Sequence, residues 1–92
     1  MSKERMQVFY SGNVQGVGFR YTVTRVVRGF EATGLVRNLP DGRVELVAEG
    51  ERDELEAFAV AIRDSEVGGC IRGEERRWSP AKNEFRSFEI VR

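Results

Sequence analysis

A chain of 92 residues makes one domain, and a domain this small buries only about 60–70% of the surface its unfolded chain exposes. Fifteen basic residues balance fifteen acidic ones, so the chain lacks the cationic excess with which proteins hold nucleic-acid backbones. One cysteine and no histidine exclude an intramolecular disulfide, a Cys/His metal site and a histidine general base.

In chain order, the opening MSKERMQ is charged and lacks the apolar stretch of a signal peptide. No apolar run nears the roughly twenty residues that cross a membrane, so a cytoplasmic location is expected. Met6, Val8 and Tyr10 alternate with Gln7 and Phe9, the period of a strand. There follows SGNVQGVGFR, residues 11–20, which ends on an arginine. Phe19, Val23, Val26, Val27 and Phe30 then share one helical face, with Gly34 as the predicted stop. That helix is rich in β-branched residues and contains Gly29, which costs about 1 kcal/mol against alanine, so packing must hold it.

Leu35–Leu39 and Val44–Glu49 read as a hairpin around the turn residues Pro40, Asp41 and Gly42. Leu55, Phe58, Ala59 and Ile62 make a second helical stripe, with Glu51, Asp53 and Glu54 near its positive end. Gly68 and Gly69 break the chain. Ile71–Trp78 reads as a polar strand, Ser79–Glu84 as a loop, and Phe88 with Ile90 as a last strand. Cys70 reads as a small core or strand residue, since no histidine exists to activate its thiol. The order βαββαβ plus a short C-terminal strand predicts an α+β fold of the ferredoxin-like α/β sandwich type. Residues 1–92 form its single domain, with two helices on one face of a mostly antiparallel sheet and the other face partly open.

The glycine segment fails three familiar phosphate or nucleotide motifs. A Walker loop needs Lys and then Ser or Thr after its last glycine, where Phe19 and Arg20 stand here. A dinucleotide fingerprint starting at Gly16 needs a glycine where Tyr21 lies. The RNA-recognition consensus belongs on a sheet strand, and Val17 fills its first aromatic slot. What remains is an anion nest: glycines that let consecutive amides converge, a helix start with unpaired N–H groups, and the planar fork of Arg20. A cation at a helix N-terminus is mildly unfavourable by itself, which suits a site that an anion occupies. On these residues alone, a plain strand-to-helix turn with a solvated arginine remains the more ordinary account. Asn38 alone is likewise the kind of residue that precedes a turn, and alternation puts Arg37 on the opposite face.

GNVQGVGFR and GLVRNLPDGRVELVAEG together resemble the acylphosphatases, small metal-free hydrolases of carboxylic–phosphoric anhydrides. The first block resembles that family's G-x-V-Q-G-V-x-F-R loop at Gly12, Val14, Gln15, Gly16, Val17, Phe19 and Arg20. The second matches at Gly34, Val36, Arg37, Asn38, Gly42, Val44 and Gly50, and the likeness runs on to FRSFEIVR. Leu35, Tyr10 and the Val26, Val27 and Gly29 group depart from the family pattern.

The resemblance implies that Arg20 binds the phosphoryl group and Asn38 positions the attacking water. It implies too that the loop Gln15, Gly16, Val17, Gly18, Phe19 and Arg20 cradles the phosphoryl oxygens. No metal, cofactor or covalent intermediate is then expected. The expected partners are an acyl phosphate and its product inorganic phosphate, with no nucleic acid and no membrane, and the chain acts as a monomer. With so little pocket, broad specificity toward the acyl side is expected. Two other functions fit parts of the sequence: a non-catalytic phosphate or acyl-phosphate binding module, and an RNA-binding ferredoxin-like domain.

Overall fold

A computed structural model describes residues 3–92. Strand β1 (Glu4–Gly12) leads through the glycine loop to helix α1 (Phe19–Val26) and a 3-10 turn, Val27–Gly29. Strands β2 (Thr33–Asn38) and β3 (Val44–Gly50) form the hairpin, followed by α2 (Arg52–Asp64). After a 3-10 turn at Gly68–Cys70 come β4 (Ile71–Pro80) and β5 (Phe88–Val91). The five strands form one sheet in the order β4-β1-β3-β2-β5, antiparallel except for the parallel β2–β5 pair.

The expected fold is the observed one, with differences at element ends. The helical stripe expected through Phe30 is α-helical only to Val26. Beyond that point valines and Gly29 disfavour the α-helix, and the chain tightens into the 3-10 turn. Strand β4 extends to Pro80, two residues into the expected loop, because Ser79 and Pro80 still pair with Arg5 and Glu4.

Alternation assigns the two faces. Met6, Val8, Tyr10, Val36, Val44, Leu46 and Ala48 point toward the helices, and Phe19, Val23, Leu55, Phe58 and Ile62 close over them. At about 25 cal/mol per Å² of apolar surface, this stripe-on-sheet burial is the main favourable term in folding.

The opposite face is polar but not bare. Glu45 and Glu49 are only 5% and 4% exposed there. Glu45 accepts from Gln7 Nε2 at 2.7 Å and from Arg37 Nε at 2.6 Å. Phe9 lies beneath the guanidinium groups of Arg43 and Arg77, 4.7 and 5.6 Å from its ring centre. The β4–β5 crossover is fastened to the same face by Glu49. That carboxylate accepts the backbone amides of Lys82 (2.8 Å) and Asn83 (2.9 Å) and Nη1 of Arg5 (3.0 Å). Asn83 sits at φ +56°, a left-handed conformation that asparagine tolerates better than most residues.

Burial pushes the Glu49 carboxyl up, but the Lys82 amide, the Arg5 guanidinium and the Asn83 amide outweigh it and hold the carboxyl below its ordinary range. A carboxyl lowered by folding stabilises the native state above its unfolded pKa of about 4.3 and stops doing so as pH falls through the folded value. Glu49→Gln is therefore expected to be less stable than wild type at pH 6 and to lose less stability between pH 6 and pH 3. Urea midpoints at the two pH values measure this, and parallel acid losses in the two proteins would refute it.

The ring of Tyr10 packs at a tilt against Phe19, with centroids 5.0 Å apart. Its hydroxyl is buried and has no hydrogen-bond partner among the described residues. Burial raises its pKa above the usual phenol range, and the charge of Glu74 adds to the rise. Deleting an unpaired buried hydroxyl relieves a desolvation cost of about 1–3 kcal/mol. Tyr10→Phe is thus expected to raise the thermal midpoint while keeping the ring contact, and a lowered midpoint would count against it.

Candidate active site

Strand direction decides where the site lies. β1, β2 and β5 run one way and β3 the other, so the ends at Gly12, Asn38 and Val91 share one edge of the sheet with the start of β3 at Val44. Because β3 lies between β1 and β2, the loop after β1 must cross the start of β3 to bring α1 toward β2 and β5.

Gln15 secures that crossing. Its side-chain Nε2 donates to the carbonyls of Leu39 (2.8 Å) and Arg43 (3.0 Å), the two ends of the hairpin turn. The turn is closed by Leu39 N–H to Arg43 at 2.8 Å and by Gly42 N–H to Leu39 at 3.1 Å. The other end of the loop is pinned by apolar burial, since Val14 and Phe19 are 1% and 2% exposed.

Between those anchors Gly16 and Gly18 take φ of +77° and +79°, while Val17 and Phe19 stay at negative φ. Alternating signs of φ turn successive amides toward a common point, the geometry of an anion nest. Gly18, in the left-handed conformation, is also the N-cap of α1, and no side chain caps the helix. The first turn holds no acid. Among the described residues, the first intrahelical bond is Thr22 N–H to Gly18, which leaves the preceding amides free of backbone partners.

A cleft of about 170 Å³ opens at this point, lined by Val14, Gly16, Gly18, Phe19, Arg20, Tyr21, Asn38, Ile90 and Arg92. Arg20 is half-buried, and its Nη1 makes a long hydrogen bond of 3.3 Å to the Val91 carbonyl. Among the described residues, neither Arg20 nor Arg92 forms an ion pair, whereas Arg37 is paired with Glu45 on the far face of the sheet. No acidic side chain lines the cleft. Converging amides and unpaired guanidinium groups without a counter-charge suit a small, multiply charged anion.

The expected site residues Gly16, Gly18, Phe19, Arg20 and Asn38 all line this cleft, but Gln15 and Val17 do not. Gln15 acts as the tether described above, and Val17 lies on the loop's outer surface, 40% exposed. Arg92, Ile90 and the Val91 carbonyl went unforeseen, because a strand identified from two apolar residues does not reveal its neighbours. Cys70 takes no part in the cleft. Its carbonyl accepts the Asn13 amide at 3.1 Å, and it packs partly buried against the core. A larger cleft of about 450 Å³ at the sheet's other end includes Glu31, Glu49 and Glu51. Its carboxylates would repel the anion that the smaller cleft attracts, so size does not decide between them.

The family model for acylphosphatases matches residues 6–90. The chain belongs to the acylphosphatase family. An acylphosphatase from Archaeoglobus fulgidus is 42% identical over 86 residues, which cover 94% of this chain and 96% of that protein. The crystal structure of acylphosphatase from Bacillus subtilis superposes with a TM-score of 0.88 at 31% identity, over 97% of this chain and 99% of that one. Full-length HypF, solved in its phosphate- and nucleotide-bound form, matches 97% of this chain with 12% of its own, at TM-score 0.83 and 28% identity. The acylphosphatase fold thus occurs both as a small chain and inside a much larger one.

Removing the Gln15 tether takes away two hydrogen bonds, although the Leu39 and Arg43 carbonyls keep the amides of Gly42 and Leu39. Gln15→Ala is expected to lower unfolding free energy by about 1–2 kcal/mol. Gln15→Glu is expected to cost more, because its carboxylate would face two carbonyl oxygens with no proton to donate. Denaturant titration of the three proteins ranks them, and a Glu variant as stable as wild type would show that the tether contributes nothing.

Proposed function

We propose that the chain hydrolyses the anhydride bond of acyl phosphates, giving a carboxylate and inorganic phosphate, with Arg20 and Asn38 as its catalytic residues. The observation that carries this reading is their convergence: Arg20 on the first turn of α1 and Asn38 at the end of β2 line one cleft with an uncapped helix start.

Arg20 holds two phosphoryl oxygens through its fork and neutralises charge on them in the transition state. The amides from Gly16 to Phe19 add fixed donors that need no reorganisation as the reaction proceeds. Asn38 orients a water in line with the breaking P–O bond, an alignment that replaces a collision with a held geometry. The bond that breaks joins phosphorus to the acyl oxygen, and its electron pair leaves on a carboxylate. A carboxylic acid has a pKa near 4, so the leaving group departs as the anion without a general acid. The water's oxygen forms the new bond to phosphorus, and its proton passes to solvent or phosphate. A histidine-free chain meets these demands without metal or covalent intermediate.

Arg20 and Asn38 lie in the same cleft of one copy, so the proposed reaction asks for no residue from a second. Among the described residues no helix is long and apolar enough to cross a membrane. Phe9 is the aromatic a nucleobase would need on the open face, but it already lies under Arg43 and Arg77, so RNA binding finds no support there.

The test is hydrolysis of benzoyl phosphate in chelator-treated buffer. Arg20→Ala is expected to cut kcat/KM about a thousandfold, and Asn38→Ala to lower kcat with less effect on KM. Both variants should keep the wild-type circular dichroism. Full activity in either variant would overturn its role, and phosphate binding without turnover by wild type would point to a binding module.

A further inference from the structure

Among the described residues, three large apolar side chains are clearly exposed: Val17, Tyr21 and Val60. Of these, Tyr21 lines the cleft and is 77% exposed, whereas Val17 faces outward from the glycine loop. Helix periodicity accounts for the exposure, since Phe19, Thr22 and Val23 take the buried face of α1. It does not account for an aromatic ring at this spot. Helical side chains lean toward the N-terminus, so a residue in the first turn reaches back over the loop.

Cleft volume restricts what can lie inside. About 170 Å³ is small beside the ~300–1,000 Å³ of ordinary ligand pockets, and a phosphoryl group with its water fills much of it. The acyl portion of a substrate must therefore extend from the mouth. On the Tyr21 side it meets an uncovered ring, and no acidic side chain lines the cleft.

Resting on the phosphoryl site proposed above, we propose that Tyr21 is a specificity-determining residue that holds the acyl group. It favours acyl phosphates whose acyl portion is aromatic or bulky and apolar over those with a short one. This narrows the broad specificity that a shallow site suggests. Tyr21 touches the leaving portion of the substrate and takes no part in the proton or phosphoryl steps.

Benzoylphosphonate and acetylphosphonate carry a C–P bond in place of the labile P–O bond, so they report binding apart from turnover. Calorimetric titration of wild type, Tyr21→Ala and Tyr21→Phe with each analogue tests the assignment. Tyr21→Ala is expected to weaken benzoylphosphonate about three- to tenfold and to leave acetylphosphonate within about twofold, with Tyr21→Phe close to wild type. Equal weakening of both analogues, no change for benzoylphosphonate, or no binding of it by wild type would overturn the assignment. Failure of wild type to hydrolyse benzoyl phosphate, with the discrimination intact, would instead overturn only the hydrolytic reading. Because Tyr21 is so exposed, the alanine variant is expected to fold normally, and its melting curve checks this.

Discussion

Helix α1 begins on a left-handed glycine, has no side-chain cap and no acid in its first turn, and places a cation there. Each of these choices leaves the partial positive charge of the helix start unbalanced. A surface helix under no other constraint would gain about 1 kcal/mol from a Ser or Asp cap. The donors that such a cap would consume are the ones that line the cleft, so local stability and anion recognition compete for the same amides. The surroundings offset that local cost: Phe19 is sealed under Tyr10, and Gln15 ties the loop to the hairpin turn.

The site is also defined by what it omits. It holds two guanidinium-bearing residues and no acidic side chain, while charged pairs are plentiful elsewhere on the surface. An acidic neighbour would pair with Arg20 and would have to be displaced before any anion could. The contact Arg20 does make, a long bond to the Val91 carbonyl, orients the guanidinium without neutralising it. Neutral positioning of a cation keeps its charge available in a chain that has no histidine to assist.

Local patterns made much of this legible. The period-two alternation separated Arg37 from Asn38, and the register places Arg37 against Glu45 on the far face while Asn38 reaches the cleft. The glycine loop and the hairpin turn were readable because their residue types answer to backbone conformations. Long-range partners were not. Gln15 fits an exposed loop as well as a tether, and only the strand order puts the Leu39 and Arg43 carbonyls within its reach. Glu45 and Glu49 alternate like solvent-facing residues, yet arginine partners and the β4–β5 crossover bury them. The end of α1 shifted for a related reason: apolar spacing fixes a face, but it does not distinguish α-helix from a tightened last turn.

The bond between Arg20 and the Val91 carbonyl spans 71 positions of the chain. Joining positions so far apart carries an entropic cost that only the folded chain repays. The cleft therefore exists only where β5 is docked beside β2 and α1 reaches them both. An anion that bound there would recognise only the finished molecule and would shift the whole folding equilibrium by mass action. On the proposed reading, phosphate would then stabilise the fold as well as occupy the cleft, holding shut the seam between the first helix and the last strand.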